Sequence, residues 1–239
     1  ESSKTPFKKD RYMMQWDDIG YLISKNRYNE NSVIAEFFTE YHGKCSGIIF
    51  GATSNKIKNY LQIGNKICIN YNYKTDTKLG YFKSEIFKAY TPLYFENNKK
   101  LSCIITAMNL IKLLTAESQE NIKIFNLLDQ LFLILNVNEW VKEYIFWELK
   151  LLELVGYNLE LEKIVELETT ENQKKYFVKS NSEKKYVPNF LIDRDETNLD
   201  KYKLLKGLKL VGDFLEKNVL KPNNINYPSS RLEFINLFK

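Results

Sequence analysis

The side chains here best suited to acid–base or nucleophilic work near neutral pH are His42, the one histidine, and the thiols of Cys45, Cys68 and Cys103. A catalytic histidine needs a nucleophile on one side and an orienting carboxylate on the other. Glu36 and Glu40 lie near His42, but no serine or cysteine pairs with it, and its place before Gly43 reads as a turn. Cys45 follows Lys44, a cation that can lower a thiol pKa, yet nothing else supports a nucleophile there and packing accounts for it. The cysteines are far apart and odd in number, which fits reduced thiols and neither a disulfide framework nor a metal cluster. The acidic series Glu160, Glu162, Glu166, Glu168 and Glu171 lacks the spacing of a calcium loop and reads as solvated surface. With no Gly-rich phosphate loop either, no cofactor and no metal are expected, and a hydrolase or transferase finds no catalytic set.

The remaining chemistry is cationic. Arg27, Lys44, Lys56 and Lys58 stand beside strand ends, where ammonium and guanidinium groups neutralise phosphates with salt-sensitive affinity. The charge distribution agrees with this. Residues 1–92 hold 14 Lys+Arg against 9 Asp+Glu, and the rest holds 21 against 21, so the whole net charge of +5 lies in the first part. Tyr60, Tyr71, Tyr73 and Tyr81 are either base-stacking surfaces or core and interstrand pairs.

These cations need a scaffold. Residues 1–12 are polar and read as a flexible tail or an added segment outside the fold. Ile19–Ile23, Val33–Phe38, Ile48–Phe50, Ile67–Tyr73 and Tyr81–Ala89 are short β-branched or aromatic runs, and Ile67, Ile69, Tyr71 and Tyr73 share one face. Ser54–Tyr60 reads as a short helix between strands. Five strands with one helix suggest a small barrel of the OB type over residues 13–92. After Pro92 the period becomes helical over Leu101–Thr115, Ile122–Leu135 and Val141–Val155. Short links at Ala116–Ser118 and Asn136–Asn138 predict an antiparallel bundle, and Gly156 is placed to end the third helix. Glu160–Val187 reads as a polar hairpin or loop insert. Thr197–Asp200 resembles a capping box for a helix over Lys201–Asn218, and Ser230 with Glu233 suggests another. The fold class is α+β: an OB barrel, then a helical domain over 93–239 with an insert at about 160–190. No apolar stretch approaches the ~20 residues of a membrane span, and no secretory pattern opens the chain.

An ordered set of motifs then resembles the RecO family of bacterial recombination mediators. Lys25, Arg27 and Glu30-Asn31-Ser32 match its first strand and turn. Thr39-Glu40-Tyr41-His42-Gly43-Lys44 matches the next turn. Gly51-Ala52-Thr53-Ser54-Asn55-Lys56, then Leu61-Gln62, match a Gly-Ala-basic element leading into a helix. Trp147-Glu148-Leu149-Lys150-Leu151-Leu152 with Gly156-Tyr157 matches the bundle signature, and Ser230-Arg231 the C-terminal Ser-Arg element. The chain departs from the family in having Thr53 where an arginine is common, and in having no cysteine after Gly156 where many members carry a four-cysteine zinc site.

The resemblance implies a DNA repair and recombination mediator rather than an enzyme. Such a protein binds single-stranded and double-stranded DNA, anneals strands on DNA coated with single-stranded DNA-binding protein (SSB), and assists RecA loading with RecR. It implies a cytoplasmic, nucleoid-associated protein with no membrane partner. It implies DNA contacts at Arg27, Lys44, Lys56, Lys58 and Arg231, and a groove for the SSB C-terminal tail near Lys142, Phe146 and Lys150. The competing reading is a generic OB-fold RNA-binding or ribosome-associated module, which leaves the helical part unexplained.

Overall fold

The computed structural model describes residues 13–74, 79–170, 173–180 and 183–239; the expected tail at 1–12 lies outside them. The chain divides into two compact units. One runs to Leu93 and takes in Ala116–Asn121; the other holds Tyr94–Thr115 and Ile122–Lys239.

The first unit is a closed five-stranded barrel in the order β1-β2-β3-β5-β4. Its strands are β1 (Met13–Asn29), β2 (Ser32–Thr39), β3 (Gly43–Phe50), β4 (Lys66–Lys74) and β5 (Gly80–Lys88), with the helix α1 (Asn55–Tyr60) between β3 and β4. This is the OB-type arrangement expected from the alternation. β1 is much longer than the run Ile19–Ile23 suggested. Its first half pairs with β4, from Met13 opposite Lys74 to Tyr21 opposite Lys66, and its second half pairs with β2. A register shift between Leu22 and Ser24 lets one strand serve both neighbours. Ser54 caps α1 by accepting from the Ile57 amide at 3.4 Å.

Leu22, Ala35, Phe37, Ile49, Leu61, Ile67, Ile69 and Phe82 fill the barrel. It closes through a short parallel pairing of β3 with β5, in which Gly47 faces Gly80. A Cβ on Gly47 would stand 2.6 Å from the Phe82 ring, and one on Gly80 would stand 2.5 Å from the Tyr71 ring. Two facing glycines therefore let aromatic rings lie flat on the seam.

The second unit contains α2 (Asn98–Leu114), α3 (Ile122–Ile134), α4 (Trp140–Leu154), the single turn α5 (Leu161–Ile164), α6 (Lys201–Leu215) and α7 (Ser229–Asn236). A π-helical turn, Glu216–Leu220, extends α6. Gly156, at φ +95°, ends α4. The Tyr157 amide donates to Leu152 O at 2.8 Å and the Gly156 amide to Glu153 O at 3.0 Å, the Schellman pattern that satisfies the last carbonyls.

The helices differ from the expected three-helix hairpin stack. α3 packs on α4 and α4 on α6, but α2 packs chiefly on α7. The presumed link after α2 is part of the barrel unit: the Ser118 amide donates to Lys44 O at 2.8 Å. Two expected caps are also corrected. Asp200 rather than Thr197 caps α6, accepting from the Lys203 amide at 2.7 Å. α7 begins at Pro228 without a side-chain cap. The Ser230 hydroxyl instead accepts from Asn109 Nδ2 at 3.0 Å.

The insert is a three-stranded antiparallel sheet, β6 (Glu166–Thr170), β7 (Gln173–Ser180) and β8 (Glu183–Val187). The acidic run supplies the third strand. Lys179 meets Glu166 at 2.8 Å and Lys184 meets Glu168, so the two charge runs pair with each other. Among the described residues no helix is long and apolar enough to cross a membrane.

Candidate nucleic-acid interface

The α1-capped end of the barrel gathers the cations. Arg27 is exposed near the end of β1, its Nε 3.4 Å from Asn29 O. Lys25, two residues earlier on the same face of β1, reaches under α1 and donates to Leu61 O at 2.5 Å. Burial lowers the Lys25 pKa, and the nearby Lys58 ammonium lowers it further. Lys56 and Lys58 project from α1 into solvent. Among the described residues no ion pair holds any of these four groups. Four cations at one barrel end, two of them close enough to repel, form a site suited to polyanion phosphates.

Lys44 does not join them as an open contact. It is 9% exposed. Its Nζ lies 3.6 Å from Glu117 and its backbone pairs with the same residue. Of the tyrosines proposed for stacking, Tyr60 donates to Ser84 O at 2.7 Å and Tyr71 packs on Trp16 and Phe82, so both serve the barrel. A cavity of about 500 Å³ on the barrel is lined by Asp17, Asp18, Glu40 and Glu85 with Lys83, a set that repels phosphate.

His42 is a turn residue with an added duty. Its Nδ1 lies 2.7 Å from Asp18 Oδ2, and its ring stacks on Trp16 at 3.8 Å and 7°. The same carboxylate accepts from the Tyr41 amide at 3.0 Å. Asp18 thus pins the β2–β3 turn, a partnership invisible in sequence because the two residues lie on different elements. The Cys45 thiol has its pKa pushed up by burial, and the Cys103 thiol far up for the same reason, so neither is poised as a nucleophile.

Arg231 needs the largest correction. It is fully buried, and its Nη2 lies 2.6 Å from Glu148 Oε2. Nε adds bonds of 3.1 and 3.2 Å to the same carboxylate, and Nη2 donates to Leu208 O at 2.9 Å. Nη1 donates to the Tyr227 hydroxyl. No phosphate can reach this group without unfolding α7. Burial alone would lower the Arg231 pKa, but the Glu148 carboxylate raises it above the ordinary value.

In the second unit, Phe146 and Lys150 line a groove of about 610 Å³ together with Leu127, Trp147, Leu191 and Arg194; its rim also carries Lys163 and the carboxylates of Glu143, Glu153, Glu160 and Glu162. Lys142 is not on it. It is 6% exposed and donates to the carbonyls of Arg194 and Glu196 at 2.6 and 2.8 Å. The buried lysine fixes the segment that carries Arg194, whose guanidinium lies 5.0 Å from the Phe146 ring centroid. In sequence, Asp193–Asp200 reads as a linker, so Arg194 within it carries no signal of a site. Lys150 pairs with Glu153 at 2.9 Å.

A closed five-strand barrel joined to a helical unit with a small sheet defines a two-part α+β protein of the OB class. Residues 13–90 match the family described as Recombination protein O N terminal, and residues 96–224 match Recombination protein O C terminal. The chain belongs to the RecO family of DNA repair proteins. It is 22% identical to the DNA repair protein RecO of Rhodospirillum centenum over 240 residues, 95% of each chain. It is 26% identical to the protein of the same name from Caulobacter vibrioides over 232 residues, 92% of this chain and 95% of that one. It is 30% identical to that of Ehrlichia chaffeensis over 161 residues, 66% of this chain and 65% of the relative.

Proposed function

We propose that this protein is a recombination mediator that performs no bond chemistry. It binds single-stranded DNA at the α1-capped end of the barrel and brings a complementary strand to it. Two strands approach only when their phosphate charge is neutralised, and Lys25, Arg27, Lys56 and Lys58 lower that repulsion. The observation that carries this reading is their gathering at one barrel end without ion pairs among the described residues. The groove beside Phe146 takes only the end of the SSB tail, its apolar wall receiving an aromatic side chain and Arg194 the terminal carboxylate, while Lys150 and Lys163 offset Glu153 and Glu160 on the rim. Work with RecR and delivery of RecA to single-stranded DNA follow the family role, as do contact with double-stranded products and residence at the nucleoid in the cytoplasm.

The test is annealing of complementary oligonucleotides coated with cognate SSB, comparing the wild type with Lys56→Glu/Lys58→Glu. Annealing should collapse in the variant. The salt slope of single-strand binding should fall by roughly 1.4, about 0.7 for each lost phosphate contact. Wild-type annealing with full activity in the variant would move the DNA site elsewhere. RNA affinity with no annealing by the wild type would overturn the mediator reading.

A further inference from the structure

We propose that the bulge at Phe87 is a second contact for single-stranded DNA, with one base stacked on the Phe87 ring and one phosphate held between Lys66 and Lys88. The proposal rests on the DNA-binding reading above and adds a place that the cations at α1 do not supply.

The register sets it up. Tyr21 faces Lys66 across β1 and β4, and Lys66 faces Lys88 across β4 and β5, so the three side chains form one row. The neighbouring Ile67 points into the core, which puts this row on the outer face of the barrel wall, where Tyr21 is fully buried, Lys66 half-buried and Lys88 exposed. Like charges directly opposite on a sheet oppose its pairing. Here the two ammonium groups rest on rings: Lys66 Nζ is 5.3 Å from the Tyr21 centroid and 5.8 Å from that of Phe87, and Lys88 Nζ is 4.7 Å from that of Tyr90. Tyr90 in turn lies 6.2 Å from Tyr21, at 22°. The arrangement keeps two cations adjacent on an aromatic bed, the combination that binds a phosphate flanked by bases.

The bulge supplies the stacking surface. Ile67 pairs with Ile86 and Lys66 with Lys88, so Phe87 is the extra residue of β5. Bulges re-aim side chains at barrel rims, and this one leaves a phenyl ring 54% exposed between two lysines. The platform is preorganised by Asn65, which is fully buried. Its Oδ1 accepts from the amides of Tyr90 and Thr91 at 2.9 and 3.0 Å, and its Nδ2 donates to Tyr60 O at 2.8 Å.

The experiment is titration of the full chain with a thymidine oligonucleotide, read by anisotropy and, in Phe87→Trp, by tryptophan fluorescence against wild-type background. Stacking should quench the new indole. Phe87→Ala should weaken binding about tenfold with unchanged circular dichroism. Lys66→Gln/Lys88→Gln should lower the salt slope by about 0.7, one phosphate. If the Phe87→Trp signal does not respond at saturation and Phe87→Ala binds like wild type, while Lys56→Glu/Lys58→Glu binds weakly, this contact is refuted and the α1 site stands. If the wild type fails to bind the oligonucleotide, both readings fall.

Discussion

Replacing Arg231 by methionine should strip the helical unit of much of its stability while leaving the proposed DNA surface untouched. The guanidinium is fully buried and the Glu148 carboxylate facing it is 1% exposed at its side chain, so neither charge has water to fall back on. Three contacts of 2.6–3.2 Å join them, and Leu208 O and the Tyr227 hydroxyl take up further donors. Removing one partner leaves a buried carboxylate uncompensated, a loss of about 3–5 kcal/mol in comparable pairs. At roughly 2–4 °C per kcal/mol for a unit of this size, the transition should drop by about 6–20 °C. The double variant Glu148→Met/Arg231→Met should recover most of the loss, because apolar residues of similar volume remove both desolvation costs together. Urea and thermal unfolding followed by circular dichroism measure this, with single-strand affinity determined below the transition. A single variant within about 1 kcal/mol of wild type would refute the uncompensated-charge account. A folded Arg231→Met with sharply reduced DNA affinity would refute the assignment of Arg231 to the core.

Two further outcomes are expected. With a disulfide reagent at mildly alkaline pH, Cys68 should react fastest because it is only half-buried, although burial and Glu85 raise its pKa too, whereas the buried Cys45 and Cys103 should wait for unfolding; fast labelling of Cys103 in the native protein would contradict its placement. The folded-state pKa of Lys25 lies below its ordinary 10.5, lowered by burial and then by Lys58, so between the two values only the unfolded chain holds the proton. Stability should therefore gain a rising component as pH climbs toward 10.5, and Lys25→Met should lack it in pH-dependent urea unfolding; parallel curves would sink this account.

The barrel was legible because its inward positions alternate: Ile67 and Ile69 are both core, as their period-two spacing required. The length of β1 was not, because Asp17, Asp18 and Asn26 interrupt its apolar pattern while still pairing in register. Helix existence was plain from the 3.6-residue period, but helix partners were not. Short links suggest neighbours, whereas α2 is claimed by α7. Asp200 won the α6 cap because its side chain reaches the Lys203 amide directly. The acidic run looked like solvated surface because sequence does not show that Glu166 and Glu168 lie within reach of lysines on β7 and β8. Of the candidate site, the exposure of Arg27, Lys56 and Lys58 was readable from charge and turn position. Lys142 and Arg231 were not, since a cation's usual exposure is overruled only by partners distant in sequence.

The union of α2 with α7 has a bearing on how the chain is made. The Thr106 hydroxyl donates to Ser230 O across 124 positions. A ribosome adding 5–20 residues per second takes roughly 6–25 s to cover that interval. Throughout it α2 has emerged with Ile104, Met108 and Ile111, all destined for the core, lacking their final cover. The barrel needs only residues up to Asn121 and can be complete long before. Synthesis thus passes through a stage with one finished module and one sticky, half-assembled one. Chaperone capture should concentrate on nascent chains stalled between α2 and α7, and fade once α7 has cleared the exit tunnel.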